Sequence, residues 1–157
     1  TQVQSDKINS AGCSYLDASG QSQPVYLATF RLDLSALLTI IAEQHHDEHG
    51  LCLPSAAAPA DIYLMTIPAR EMSLDGTLQQ VLARLNACGW TIMVDDRPER
   101  AGVKFNDADL IGIPLRLTLS ERSLKTNALE AKLRSGGEPV MVSLDALEHY
   151  VKQLINP

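Results

Sequence analysis

The chain has 157 residues, of which 45% are hydrophobic and 20% are charged, with a formal net charge of −6 and a pI near 5.1. This balance is typical of a globular domain with enough apolar residues for one core. The acidic total argues against a non-specific nucleic-acid-binding protein, whose surface is usually basic.

The charge is distributed unevenly along the chain. Residues 1–96 carry four basic and eleven acidic side chains, whereas residues 97–134 carry eight basic and five acidic ones. A basic segment within an acidic protein has two interpretations, a local anion-binding face or an ordinary solvated surface.

The cysteine content and the hydropathy predict a cytoplasmic protein. The chain has three cysteines and no CxxC pair, which is typical of free thiols in a reducing cytoplasm. No run of eighteen apolar residues predicts a membrane span, and the polar start lacks the core of a signal peptide. Because the chain does not begin with Met, we expect a fragment or a trimmed product.

The first third of the chain predicts a small appendage of strands and one helix. Residues 13–16 and 25–34 have strand patterns, with turn residues after the first. Ser35 is the predicted N-cap of a helix that ends near Gly50. Residues 51–59 form a linker rich in proline and small residues, which predicts the domain boundary at residue 54.

The rest of the chain has a regular alternation of strand and helix patterns. Continuous apolar runs predict buried strands, helical spacing of apolar residues predicts helices, and Gly136-Gly137 predicts a hairpin turn. The order β-α-β-α-β-β-β-α predicts an α/β fold whose mixed sheet of about five strands is packed against three helices. The predicted strands are 61–67, 90–94, 113–120, 128–134 and 139–144, and the predicted helices are 73–89, 103–112 and 143–155.

Several segments of this second region resemble one protein family. Residues 95–114, 121–125, 129–132 and 142–145 are very similar to the anticodon-binding domain of bacterial prolyl-tRNA synthetases. The resemblance covers about residues 55–157. It implies the class II anticodon-binding fold and contact with the anticodon loop of proline tRNA.

The resemblance continues upstream and then breaks down. Residues 42–50 resemble the end of the family's catalytic domain. Residues 13–38 align with its third class II motif, and the signature of that motif falls at residues 28–36. Arg31 and Asp33 stand where that motif has glycines, and Ala36 stands where it has an arginine. Adenylate formation needs fixed positive charge on the triphosphate, which Ala36 does not supply.

The resemblance therefore implies that residues 1–54, a hairpin plus a helix, are a degenerate remnant of the catalytic domain. We predict no catalytic residue and no cofactor in this chain, although it resembles part of a proline-tRNA ligase. Residues 55–157 are the predicted anticodon-binding domain.

The predicted RNA contacts are basic, aromatic and acidic side chains near the carboxyl end of the second strand and on a later strand. Open α/β sheets bind ligands at that edge, and loop bases are recognised by stacking and by hydrogen bonds to their edges. The residues are Arg97, Glu99, Arg100, Lys104, Phe105, Lys132 and Arg134.

Alternatives stay open for most of these residues. Phe105 either stacks on a base or plugs the core, and Glu99, Lys132 and Arg134 have solvated surface roles as alternatives. The hypothesis depends on the region 97–105 presenting cationic and aromatic groups outward. If Arg97, Arg100 and Lys104 were locked into internal carboxylate pairs, it would fail.

A metal site is one interpretation of a cluster of possible ligands within eight residues, His45, His46, His49 and Cys52. The resemblance places His45 and His46 at the end of a helix that binds no metal, so we predict no metal site.

Two function classes remain on sequence grounds. The first is an RNA-binding module, and the second is a synthetase-derived protein-interaction or structural subunit that no longer binds tRNA. We predict a homodimer through residues 1–50, because one hairpin and one helix cannot bury their own apolar faces. We predict no DNA partner and no membrane partner.

Overall fold

The computed structural model describes residues 13–25, 30–67 and 73–155, and the chain divides into two compact units, Thr1–Leu37 and Leu38–Pro157. In the first unit, β1 (Ser14–Leu16) pairs antiparallel with β2 (Ser22–Pro24). Asp17 orders the turn between them by accepting hydrogen bonds from the Ser19 and Gln21 amides. Hydrogen bonds from Ser19 and Gln23 side chains help to lower the pKa of Asp17 to about 2.

Helix α1 (Leu34–Gln44) begins one residue before the predicted cap. Asp33 caps it, because its carboxylate accepts hydrogen bonds from the backbone amides of Ser35 and Ala36. The predicted strand over residues 25–34 is wrong at residue 25 and at 30–33, which have no strand structure, and residues 26–29 lie outside the described residues. No residue of α1 is buried.

A tight hairpin replaces the predicted end of this helix near Gly50. β3 (His46–Asp47) pairs antiparallel with β4 (Gly50–Leu51). The Asp47 carboxylate accepts hydrogen bonds from the His49 and Gly50 amides, which makes an Asx-type turn. Gly50 has a φ of +147°, and a Cβ there would lie 2.5 Å from the Asp109 carbonyl oxygen. Glycine is required at this position, because any side chain would clash with the neighbouring backbone.

The second unit contains the five-stranded mixed sheet that the sequence predicted. The strand order is β6-β5-β7-β8-β9, in which β5 is parallel to β6 and β7, and β8 is antiparallel to β7 and β9. The elements are β5 (Ile62–Thr66), α2 (Asp75–Ala87), β6 (Ile92–Asp95), α3 (Ala101–Ile111), β7 (Leu115–Leu119), α4 (Glu121–Lys125), β8 (Ala128–Leu133), β9 (Val140–Ser143) and α5 (Leu147–Leu154), with a 3-10 turn at Leu144–Ala146.

The short helix α4 is an addition to the three predicted helices of this unit. Ser120 and Ser123 form a reciprocal capping box at its start. Five residues are too few for a helical period to appear in the sequence, so the local hydrogen bonds of two serines decide the structure.

Apolar side chains cover both faces of the central strands. On one face, Leu64 and Leu117 pack in a cluster with Val81 of α2 and Val151 of α5. On the other face, Tyr63 and Met65 pack with residues of α3. Because β5 is covered on both sides, all five of its residues are buried, which explains its continuous apolar run.

The division of the chain falls between Leu37 and Leu38, whereas the sequence predicted a boundary at residue 54. The segment that follows α1 packs with the second unit. The Leu53 amide donates to the Gly112 carbonyl oxygen at 3.0 Å, and a Cβ on Gly112 would lie 2.3 Å from the Leu51 carbonyl oxygen. This close approach of two backbones joins the hairpin to the end of α3.

Replacing Gly112 by alanine tests that joint. Gly112 and Gly89 both have left-handed backbones, with φ of +77° and +91°, but only Gly112 has atoms within 4 Å of the added Cβ. Gly89→Ala is the matched control. The left-handed backbone strain costs about 1–2 kcal/mol in both Gly112→Ala and Gly89→Ala. The clash adds about 1–3 kcal/mol in Gly112→Ala alone. Urea unfolding should show the larger loss for Gly112→Ala, and equal losses would contradict the close packing.

Candidate nucleic-acid interface

The carboxyl ends of β5 and β6 are joined by a buried lysine. The Lys104 ammonium donates to the backbone carbonyl oxygens of Thr66 at 2.7 Å and of Asp95 at 3.0 Å. It also lies 3.5 Å from an Asp95 carboxylate oxygen, and the side chain has no exposed surface. Burial of an unpaired ammonium is costly, so these three acceptors are what permit Lys104 to lie inside.

The same carboxylate holds an arginine at the edge of the sheet. Arg97 donates to both Asp95 oxygens, at 3.0 and 2.8 Å, and to Asp107 at 2.6 Å. Tyr63 donates its hydroxyl hydrogen to Asp95 at 2.9 Å. The hydrogen bonds from Arg97, and then that from Tyr63, hold the pKa of Asp95 well below its usual range. Burial and the neighbouring Asp95 raise the pKa of Tyr63 to about 12.

The lowered pKa of Asp95 gives the network a pH dependence of known sign. A carboxyl group whose pKa is lower in the folded state stabilises the fold while it is ionised. Its contribution is complete above the unfolded-state pKa of about 3.9 and is lost as the pH falls towards the folded-state value.

These contacts correct the predicted RNA surface at residues 97–105. Lys104 was expected to face a ligand, but its ammonium is enclosed by protein carbonyls. Arg97 was expected to be available, but it is paired with two carboxylates. Arg100 and Glu99 are exposed, and neither forms an ion pair within the described residues. Of the three cations predicted at this edge, Arg97 and Lys104 are thus committed to protein acceptors, and Arg100 is the one that is exposed without an ion pair in the described residues.

Phe105 occupies the core position that was one of its two predicted roles. It is half-buried and packs against the cluster of Tyr63, Met65 and Ala108. The Arg116 guanidinium carbon lies 4.5 Å from the centroid of its ring. This cation–π contact fixes the position of Arg116 beside the sheet.

A second basic region lies on β7 and β8. Arg116 and Lys132 are directly opposite each other in the register of the two strands, on the sheet face that carries Tyr63. Lys132 is half-buried and has no ion-pair partner in the described part of the chain. Two like charges directly opposite each other on neighbouring strands destabilise a sheet.

Arg116 is 9% exposed and only partly neutralised. Its Nη1 lies 3.3 Å from an Asp109 carboxylate oxygen. Its Nε has no hydrogen-bond partner among the described residues. Burial lowers the pKa of Arg116, and Asp109 opposes that effect. The guanidinium remains charged, since arginine is not deprotonated in proteins.

Arg134 follows β8 and is fully occupied by protein partners. Its two terminal nitrogens each donate to Asp47 at 2.7 Å, and its Nε donates to the Asp109 carbonyl oxygen at 3.1 Å. The hydrogen bonds from Arg134 hold the pKa of Asp47 well below its usual range. Only 8% of the Arg134 side chain is exposed. Arg134 was predicted to contact phosphates, and the structure instead commits it to the β3–β4 hairpin.

These side chains enclose a cavity of about 180 Å³. Three of its lining side chains are cationic and two are carboxylates, so the walls carry a net positive charge. The lining residues are Asp47, His49, Asp109, Arg116, Lys132, Leu133, Arg134, Ser135, Gly136 and Gly137. We call this space the β7–β8 cavity.

Sequence reasoning missed Arg116 and Asp47 as members of this site. The signal for Arg116 was present, because Arg116 and Thr118 alternate with Leu115, Leu117 and Leu119. That alternation puts both polar side chains on one face of a buried strand. Asp47 had no such signal, since its partner Arg134 lies 87 residues away.

The histidine-rich segment lies partly in this region. His46 and Asp47 form β3, and the Cys52 thiol donates to Asp47 at 3.5 Å. Among the described residues, no group of three or more His, Cys, Asp or Glu side chains is arranged to hold a metal ion. Of the helices in the described ranges, none combines the length and the apolar character that a bilayer span needs.

Comparisons with known proteins identify relatives of the chain. Residues 61–154 match the family model of the anticodon binding domain. The chain is 39% identical over 139 residues to a proline–tRNA ligase of Bacillus velezensis, covering 88% of the chain and 24% of that protein. It is 36% identical over 151 residues to a proline–tRNA ligase of Pelotomaculum thermopropionicum, covering 96% and 26%. The chain thus spans about a quarter of the length of the curated relatives it matches.

A solved structure has the same fold. A crystal structure of the Cryptosporidium parvum prolyl-tRNA synthetase superposes with a TM-score of 0.79 at 20% identity. The match covers 94% of the chain and 31% of the other protein.

The buried ammonium predicts a large difference between two lysine variants. Lys104→Met leaves two buried backbone carbonyls without their donor and removes the positive charge beside Asp95, so we expect a loss of about 2–4 kcal/mol in the free energy of unfolding. Lys125→Met removes the same charge from an exposed ion pair with Glu121 and should change stability by less than about 0.5 kcal/mol. Chemical denaturation measures both, and similar values would contradict the structural role of Lys104.

Proposed function

The chain belongs to the anticodon-binding domain family, and we propose that it is the RNA-binding module of a proline–tRNA ligase or of a synthetase-like paralogue. The observation that carries the proposal is the family match, which extends over every strand of the five-stranded sheet. The relatives named above supply the link to proline tRNA. The ligand we propose is the anticodon loop of proline tRNA, in a class II, cytoplasmic context.

The proposed contact surface differs from the one expected at the sheet edge. Lys104 is buried, and the half-exposed Arg97 is paired with two carboxylates, so neither is included. Lys132 is the half-buried cation with no ion-pair partner in the described ranges, and it lies next to Arg116 on one sheet face. Arg100 and Glu99 are exposed beside the start of α3 and are retained as peripheral contacts. RNA loops present phosphates and unstacked bases, which such cations and acceptors recognise.

We further propose that the chain does not catalyse aminoacylation by itself. The segment that resembles the third class II motif has no arginine at Ala36, and Asp33 is the cap of α1. A carboxylate at this position adds negative charge and does not favour a bound triphosphate.

The RNA proposal is tested by binding measurements on the full 157-residue chain. Fluorescence anisotropy should show binding to proline tRNA that is at least about tenfold tighter than to a tRNA with an unrelated anticodon. The logarithm of affinity should fall linearly with the logarithm of salt concentration, by roughly 0.7 for each phosphate contacted in a single-stranded loop. Equal and feeble binding to both tRNAs would defeat the proposal.

That negative result would favour the second candidate, a protein-interaction subunit. The net charge of −6 and the apolar surface of α1 are the observations that favour it. Arg100→Ala serves as a further test of RNA binding, because it removes an exposed charge at the periphery of the proposed RNA-binding surface. We expect it to weaken binding of both tRNAs by a similar, small factor.

We also propose a homodimer through residues 1–50. The helix α1 carries exposed leucine and isoleucine side chains and has no buried residue. Exposed apolar patches of this kind mark association surfaces. The large exposed residues of this helix are Leu34, Leu37, Leu38 and Ile40.

Light scattering at high micromolar concentration tests the dimer. The unmodified chain should have the mass of two copies. Ile40→Lys puts a charge on the exposed face of α1, where the side chain is 52% exposed, and should shift the mass towards one copy. The matched control is Leu110→Lys on α3, which is 58% exposed and should leave the mass unchanged. A monomer at all concentrations would remove the dimer proposal.

A further inference from the structure

The three cations that line the β7–β8 cavity are neutralised by carboxylates to different degrees. Arg134 is neutralised by the two-pronged contact with Asp47, and Arg116 is partly neutralised by Asp109. Lys132 has no carboxylate partner among the described residues, although Glu130 lies two residues away on the same strand face. The cavity therefore contains one uncompensated ammonium next to one incompletely compensated guanidinium.

Buried polar atoms without hydrogen-bond partners, like the uncompensated positive charge, favour a bound acceptor in this cavity. The buried Arg116 Nε and the buried Thr118 Oγ1 both lack a hydrogen-bond partner in the described residues, and they are two positions apart on the same face of β7. A buried donor without an acceptor costs about 1–3 kcal/mol. Arg116 is more than nine-tenths buried and lines the cavity. An acceptor group with negative charge would satisfy it and would offset the repulsion between Arg116 and Lys132.

The size and rim of the cavity restrict the anion. A volume of about 180 Å³ is several times the roughly 30 Å³ that one water occupies in the liquid, so it admits a small oxyanion. Gly136 and Gly137 are on the rim, and no atom lies within 4 Å of a Cβ built on either. The rim thus leaves space for a chain to which the anion is attached. His49 and Ser135 complete the polar wall.

We propose that the β7–β8 cavity receives a phosphate group of the bound RNA, held by the Lys132 ammonium and the Arg116 guanidinium. Asp47 acts as a positioning residue, because its carboxylate fixes Arg134 as a rigid wall. The assignment of the phosphate to RNA rests on the proposed function. The recognition chemistry itself requires only a phosphate oxyanion, since ammonium and guanidinium groups bind such oxygens through charge-assisted hydrogen bonds.

The site includes a segment outside the family match. The match begins at residue 61, whereas Asp47 and His49 belong to the hairpin at residues 46–51. Asp47 reaches Arg134 across 87 residues of chain. The cavity is therefore complete only when the hairpin is packed beside β8.

The first arm of the test uses inorganic phosphate and observes the guanidinium directly. In proton–nitrogen NMR spectra of the full chain, the Arg116 Nε–H signal is identified by its loss in Arg116→Lys. Phosphate, added at constant ionic strength against chloride, should shift this signal and the amides of Gly136 and Gly137 along a saturable curve. A linear, unsaturated response, or no response at these groups, would overturn the anion site.

The second arm uses a stem-loop RNA that carries the proline anticodon. Lys132→Met should weaken RNA binding about tenfold and reduce the salt dependence by about one phosphate contact. It should also abolish the phosphate shift of Arg116. Lys152→Met removes the same charge from helix α5, on the opposite face of the sheet, and should leave both measurements unchanged.

The phosphate and RNA measurements together distinguish a failure of the cavity inference from a failure of the proposed function. If the stem-loop binds with unchanged affinity to Lys132→Met and phosphate leaves Arg116 unmoved, the cavity inference is wrong while the proposed function stands. If the unmodified chain does not bind the stem-loop at all, the proposed function is wrong, and the assignment of the phosphate to RNA is wrong with it.

Discussion

The arrangement of charge in this domain depends on one buried ammonium. Lys104 has no exposed surface and holds the carboxyl ends of β5 and β6 together through the Thr66 and Asp95 carbonyl oxygens. Asp95 in turn fixes Arg97 and receives the Tyr63 hydroxyl hydrogen. Since a buried charge persists only with such partners, this edge of the sheet is internally satisfied. Arg97 and Lys104 thereby stabilise the fold, and the partly or fully buried cations that lack full compensation within the described residues lie on β7 and β8.

The second constraint is the pairing of Asp47 with Arg134. It joins a hairpin at residues 46–51 to the end of β8, and the close approach of Gly50 and Gly112 to neighbouring backbones supports the same contact. The segment that follows α1 is thus part of the second unit in its packing, although it lies outside the matched family span. A site on β7 and β8 then depends on residues from both sides of residue 61.

Much of this fold could be predicted from the sequence, and the reasons are local. The continuous apolar run of β5 and the alternation along β8 each reflect a face that must be buried, so a mixed sheet of five strands was predicted correctly. The site was harder, because its charged contacts join distant segments. Lys104 is buried by carbonyls that come from residues 38 and 9 positions away, and no pattern around it encodes those acceptors. For the same reason, an exposed edge of Arg97 and Lys104 was predicted where the structure has an internal network.

We propose that RNA contacts mainly the sheet face carrying Lys132, with Glu99 and Arg100 only at the periphery. Amide hydrogen exchange of the full chain, with and without proline tRNA, measures this directly. We expect bound tRNA to slow exchange most in β7, β8 and the loop at residues 135–137, with a smaller effect at residues 99 and 100. Protection confined to residues 97–104 would contradict it.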